Sequence, residues 1–183
     1  MIGRARRPKV PPFASFGPGS TIDEPVVGIP NPDGIAIGAN VDIRAYAFLE
    51  AISKPGAVVL RIGDRTYIGP FARITAFGGV TIGSDVLIAD RCYLSDSGHV
   101  YEDVNIPIKD QPLREGRQLH IEDGAWLGIG VAVVGEVRVG RNAVVGANSV
   151  VRDDVPPFTV VAGNPAKVIR RYVDGQWRWE DPD

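Results

Sequence analysis

Proton transfer and nucleophilic attack at neutral pH need imidazole, thiol or paired carboxyl groups, and this chain carries few of the first two. His99, His120 and Cys92 are its entire stock of imidazoles and thiols. His99 closes the run Ser95-Asp96-Ser97-Gly98-His99, where the preceding glycine leaves room for another molecule to approach. An imidazole is suited to removing a proton from a hydroxyl at neutral pH. Asp96, three residues earlier, is a candidate to orient that ring, although a backbone carbonyl serves the same purpose. Two histidines fall short of a three-histidine metal site, and no metal is expected.

The elements that must position His99 are legible as a count of six. Branched aliphatic residues stand at Ile37, Ile43, Ile62, Ile68, Ile82, Ile88, Ile121, Leu127, Val133, Val139, Val145 and Val151. Four residues after each comes a small or β-branched residue, from Val41 and Ala47 to Ser149 and Val155. That second residue lies two positions before the next aliphatic one, so in an extended strand both point to one side. Gly, Asn and Asp at Asn40, Asp85, Gly124, Gly130, Asn142, Asn148 and Asp154 supply the turn between units. Three such units close a triangle, and stacked triangles make an all-β parallel β-helix of about five coils. Small insertions at Lys54-Pro55-Gly56 and Phe77-Gly78-Gly79 read as corner bulges.

Between Leu94 and Ile121 the count stops, and the segment 95–120 must leave the prism as an extruded loop. His99 lies where that arm departs. Cys92 fills a small inward slot and reads as packing, not as a nucleophile. His120 precedes an inward Ile121 and reads as a surface residue. Trp126 precedes an inward Leu127 and faces outward, so a ligand or partner is expected to cover it.

The 183 residues, 44% of them hydrophobic, suit one domain. It divides into an N-terminal capping segment 1–36, the β-helix 37–156 with its arm 95–120, and a C-terminal helix and tail 157–183. A formal net charge of −2 gives no reason to expect nucleic acid. No membrane-spanning run or secretory leader is apparent, and one cysteine agrees with a reducing, cytoplasmic location.

Over about residues 37–171 the repeats resemble the hexapeptide-repeat family, whose members form left-handed parallel β-helices. The Gly98-His99 element, with VYEDVNIPI and QPL behind it, resembles the galactoside, maltose and exopolysaccharide O-acetyltransferase branch. The resemblance implies acetyl-CoA as acyl donor, a sugar or glycan hydroxyl as acceptor, and His99 as general base. It implies homotrimers with sites between neighbouring prisms, which would also cover Trp126. Trp126-Leu127-Gly128-Ile129 resembles the family's Trp-Ile-Gly-Ser segment, so the amide of Ile129 is expected to face the thioester oxygen. Trp126 and Gly128 then belong to the cofactor groove. Ala147, one coil further on, matches a small residue whose amide meets the pantetheine arm.

Ala162-Gly163-Asn164-Pro165-Ala166-Lys167-Val168-Ile169-Arg170-Arg171 resembles the family's closing element. There Asn164 and Pro165 suit the start of a short helix with Lys167 and Arg170 on one face, near the coenzyme A phosphates. The asparagine with which the galactoside branch meets its sugar has no counterpart around Pro70-Phe71-Ala72-Arg73, which leaves the sugar open. An amino-sugar nucleotide N-acetyltransferase or a non-catalytic β-helix module are the alternatives.

Overall fold

Parallel strands of two to four residues stack into three flat faces in a computed structural model that describes residues 12–114 and 117–180. The first face stacks Ser15–Phe16, Ile35–Ile37, Leu60–Ile62, Gly79–Ile82, Gln118–Ile121 and Val137–Val139. The second stacks Thr21–Ile22, Asp42–Ile43, Tyr67–Ile68, Leu87–Ile88, Trp126–Leu127, Val144–Val145 and Thr159–Ala162. The third stacks Phe48–Ala51, Arg73–Ala76, Tyr93–Ser95, Ala132–Val134 and Val150–Val151. The chain visits the faces in rotation, giving a left-handed parallel β-helix.

Every aliphatic position of the hexad, from Ile37 to Val151, is buried, and so is every small position from Val41 to Val155. Burying one such aliphatic side chain stabilises the fold by roughly 2 kcal/mol relative to leaving it exposed. Two inward slots hold hydroxyls, and each is satisfied internally. Thr66 donates to the Gly83 carbonyl at 2.8 Å, and Ser149 to that of Gly146 at 2.7 Å. The corner residues Asn40, Asp85, Gly124, Gly130, Asn142 and Asn148 take positive φ as expected. Asp154 does not; its carboxylate instead accepts the Arg138 amide at 2.7 Å. Tyr46, Arg65, Phe71 and Arg91 also adopt φ between 56° and 65°, so coil geometry overrides local preference at those corners.

Two boundaries differ from the sequence expectation. Among the described residues parallel stacking begins at Ser15, with Phe16 beside Ile37, Ile22 beside Ile43, and Gly28 bridged to Phe48. The segment before residue 37 therefore contributes a coil of its own, which makes six. Phe16 and Ile22 keep the spacing of six, but Ile29, which stands beside the inward Leu49 and packs on the core, follows Ile22 by seven, and the extra residue hides the repeat.

At the other end, the expected helix after Asn164 is a strand, Lys167–Val173, antiparallel to Thr159–Ala162 and followed by Gln176–Trp179. Val168, Ile169, Tyr172 and Val173 favour extended structure, and Asp174-Gly175 takes the two positive φ values, 51° and 78°, of a tight hairpin turn. These preferences outweigh the helix-start signal of Asn164-Pro165.

Candidate active site

The arm leaves at the corner between the third and first faces, after Tyr93–Ser95, and its two legs brace each other. Arg114 donates its amide to the Gly98 carbonyl at 2.7 Å, Val100 to that of Pro112 at 3.0 Å, and His99 lies opposite Leu113. The hydroxyl of Ser97 adds a bond to the Arg114 carbonyl at 3.0 Å. Gln111 is the tip's internal fastening: its Nε2 donates to the carbonyls of Asp103 and Ile106, each at 2.8 Å. His99 is thus an exposed side chain on a stiffened rib.

Asp96 is buried, and its carboxylate faces the coil below. Oδ1 accepts the Phe77 amide at 2.9 Å, and Oδ2 accepts those of Gly78 and Gly79 at 2.7 and 2.6 Å. Among the described residues the imidazole of His99 is not one of its partners. The carboxylate instead pins the bulge at 77–79 to the foot of the arm.

Ile129 and Ala147 lie at a different corner, between the second and third faces, in adjacent coils. Neither amide N–H has a hydrogen-bond acceptor among the described residues, whereas the Ile129 carbonyl accepts from Asn148 at 2.8 Å. Gly128 permits this close stacking, because a Cβ there would come within 2.8 Å of the Ala147 nitrogen. Trp126 is 47% exposed, with Leu87 and Val144 beside it on the second face.

Lys167 and Arg170 face outward together, though not by helical spacing. A bulge sets them opposite Ala162 and Val160, two residues apart on the neighbouring strand. Neither has a carboxylate partner among the described residues. The Arg170 guanidinium lies 4.5 Å from the Trp179 ring centroid, and its buried Nε has no hydrogen-bond partner. Val144, Val160, Arg170 and Trp179 continue the outward column that holds Trp126.

Cys92 is packing, as expected: it is buried, its Sγ lies 3.2 Å from the Gly128 carbonyl, and burial pushes its thiol up to about 11. His120 sits on the first face between Thr81 and Arg138.

Residues 119–153 match the family model of the bacterial transferase hexapeptide (six repeats). Over 159 residues the chain is 34% identical to a putative lipopolysaccharide biosynthesis O-acetyl transferase of Escherichia coli K12, covering 83% of this chain and 79% of that protein. The chain belongs to the hexapeptide-repeat acetyltransferase family. A second relative, a probable acetyltransferase of Mycobacterium tuberculosis, is 36% identical over 66% of this chain, which spans 39% of that protein. Among solved structures, a hexapeptide-repeat acetyltransferase of Vibrio cholerae complexed with acetyl coenzyme A superposes with a TM-score of 0.64. It shares 27% identity over 88% of this chain and 73% of that one.

Sequence reasoning did not single out Gln111 as the arm's fastening, nor Tyr101, Arg114 and Arg117 along its legs. The Arg114–Arg117 cluster was a visible signal of charge, but its cross-leg partners are a matter of folding.

Proposed function

We propose that this hexapeptide-repeat protein is an acetyl-CoA-dependent O-acetyltransferase acting on a sugar hydroxyl in polysaccharide biosynthesis, and that it works as a homotrimer in the cytoplasm. The observation that carries the reading is the pair of unpartnered amides, Ile129 and Ala147, stacked at one corner of a rigid prism. Lys167 and Arg170, on the strand that follows the last coil and without a carboxylate partner among the described residues, suit the phosphates of coenzyme A. The relative's role in lipopolysaccharide biosynthesis and the acetyl coenzyme A held by the Vibrio protein support the same assignment.

In this mechanism His99 takes the proton of the acceptor hydroxyl as the oxygen attacks the thioester carbonyl. The amide of Ile129 donates to the oxygen on which negative charge develops, and being fixed beforehand it needs no reorganisation. The C–S bond breaks, and His99 returns its proton to the leaving thiolate. Asp96 acts at one remove by fixing the foot of the arm. His99 and Ile129 occupy different corners of their own prism, so we assign each site to the arm of one chain and the amide corner of another.

The test is acetyl transfer from labelled acetyl-CoA to a panel of glycosides and amino sugars. Release of the label by mild alkali marks an ester; alkali-stable label would turn the reading to N-acetylation. No acetyl-CoA binding by calorimetry would leave a non-catalytic module.

A further inference from the structure

We propose that Cys92 and Ser149 are positioning residues, buried donors that aim and strengthen the two amides assigned to the thioester and the pantetheine arm. That role rests on the acyl-transfer reading above. The Ile129 N–H belongs to the peptide whose carbonyl is that of Gly128, and the Cys92 Sγ lies 3.2 Å from that oxygen. The Ala147 N–H belongs to the peptide whose carbonyl is that of Gly146, and the Ser149 hydroxyl donates to it at 2.7 Å. Ser149 in turn accepts the Gly163 amide at 3.0 Å. Both side chains are buried in the inward slot of this corner, where the lower coils put Ala47 and Ala72, which donate nothing.

A donor on a carbonyl oxygen draws electron density along the conjugated peptide, which makes the attached N–H a stronger donor and holds its plane against rotation. The corner between the first and second faces shows where such a relay ends. There Ser20 donates to the Gly38 carbonyl at 2.7 Å, and the next amide, of Ala39, donates to the Asp64 carboxylate at 2.8 Å. Thr66 donates to the Gly83 carbonyl at 2.8 Å, and the next amide, of Ser84, to the Asp123 carboxylate at 2.8 Å. Both relays terminate on an anionic oxygen. Those of Cys92 and Ser149 terminate on amides with no acceptor among the described residues, which leaves them for the oxygen of a ligand. Burial pushes the Cys92 thiol up to about 11, so it keeps at neutral pH the proton it donates.

The experiment measures kcat and the acetyl-CoA KM, with the glycoside that wild type acetylates fastest, in Cys92→Ala, Cys92→Ser, Ser149→Ala and Thr66→Val. Val41, Ala47, Ala72 and Val86 already fill such slots, and thermal melting checks that each variant folds. In Cys92→Ala, kcat is expected to fall about fivefold at unchanged acetyl-CoA KM, and Cys92→Ser to recover it to within about twofold. Ser149→Ala is expected to raise the acetyl-CoA KM about fivefold with kcat nearly kept. Thr66→Val, whose relay ends inside the protein, is expected to match wild type. In protein carrying isotope-labelled isoleucine, the amide proton resonance of Ile129, assigned by its loss in Ile129→Val, is expected to move upfield in Cys92→Ala but not in Thr66→Val. Wild-type kcat in a folded Cys92→Ala with an unmoved resonance, a loss that serine does not restore, or an equal loss in Thr66→Val overturns the proposal. If the resonance moves as expected but wild type binds no acetyl-CoA, it is the acyl-transfer reading that fails.

Discussion

At position 129 the proposed chemistry uses only a main-chain N–H, so a side-chain truncation cannot test it but proline can. Ile129→Pro deletes a donor that has no internal acceptor, and its expected effect is a loss of about 10²-fold in kcat with little change in melting temperature. A comparable activity in the folded proline variant would remove Ile129 from the site. His99→Ala removes the proposed base and is expected to lower kcat about 10²- to 10⁴-fold while acetyl-CoA affinity, read by calorimetry, stays within twofold. Loss of affinity in step with kcat would mean that the ring serves binding. Residue types at these positions were readable beforehand: a glycine before a histidine, an outward tryptophan before an inward leucine. The engagement of Asp96 with amides of the coil below was not readable, because hydrogen bonds between residues 17 to 19 apart depend on how coils stack.

At the scale of elements, the arm stands on that one carboxylate. Asp96→Ala strands three amides, one of them buried, and is expected to cost about 3 kcal/mol in urea unfolding, with Asp96→Asn losing less because one acceptor oxygen survives. An alanine variant as stable as wild type would show that the bulge at 77–79 is held by other means. The coils themselves were legible because their inward period is strict and repeated. The first coil escaped because its third inward residue, Ile29, follows Ile22 by seven positions and so breaks the count of six. The closing hairpin escaped for a different reason: Asn164-Pro165 carries a helix-start signal, and the Asp174-Gly175 turn that contradicts it lies nine residues further on.

For the whole molecule, the decisive relation is between corners. The arm departs between the third and first faces, and the free amides lie between the second and third. If neighbouring chains complete each other, His99→Ala and Ile129→Pro are defective in different halves of one site. Co-refolding the two is expected to restore part of the wild-type rate, since some junctions then join an intact arm to an intact amide corner. Mixed assemblies as inactive as their parents, with subunit exchange verified by native mass spectrometry, would place the whole site within one chain.

The reversal of the chain after Ala162 also bears on solubility. A parallel stack ends in a row of open backbone groups, the kind of surface on which further strands assemble. Here Lys167–Val173 covers that row from the opposite direction, and the outermost strand presents Trp177, Arg178 and Trp179 instead of another flat rung. A chain cut after Ala162 is expected to grow into filaments that bind thioflavin, with monomer lost in proportion to concentration; a truncated protein that stays dispersed would show that the hairpin is not the stopper.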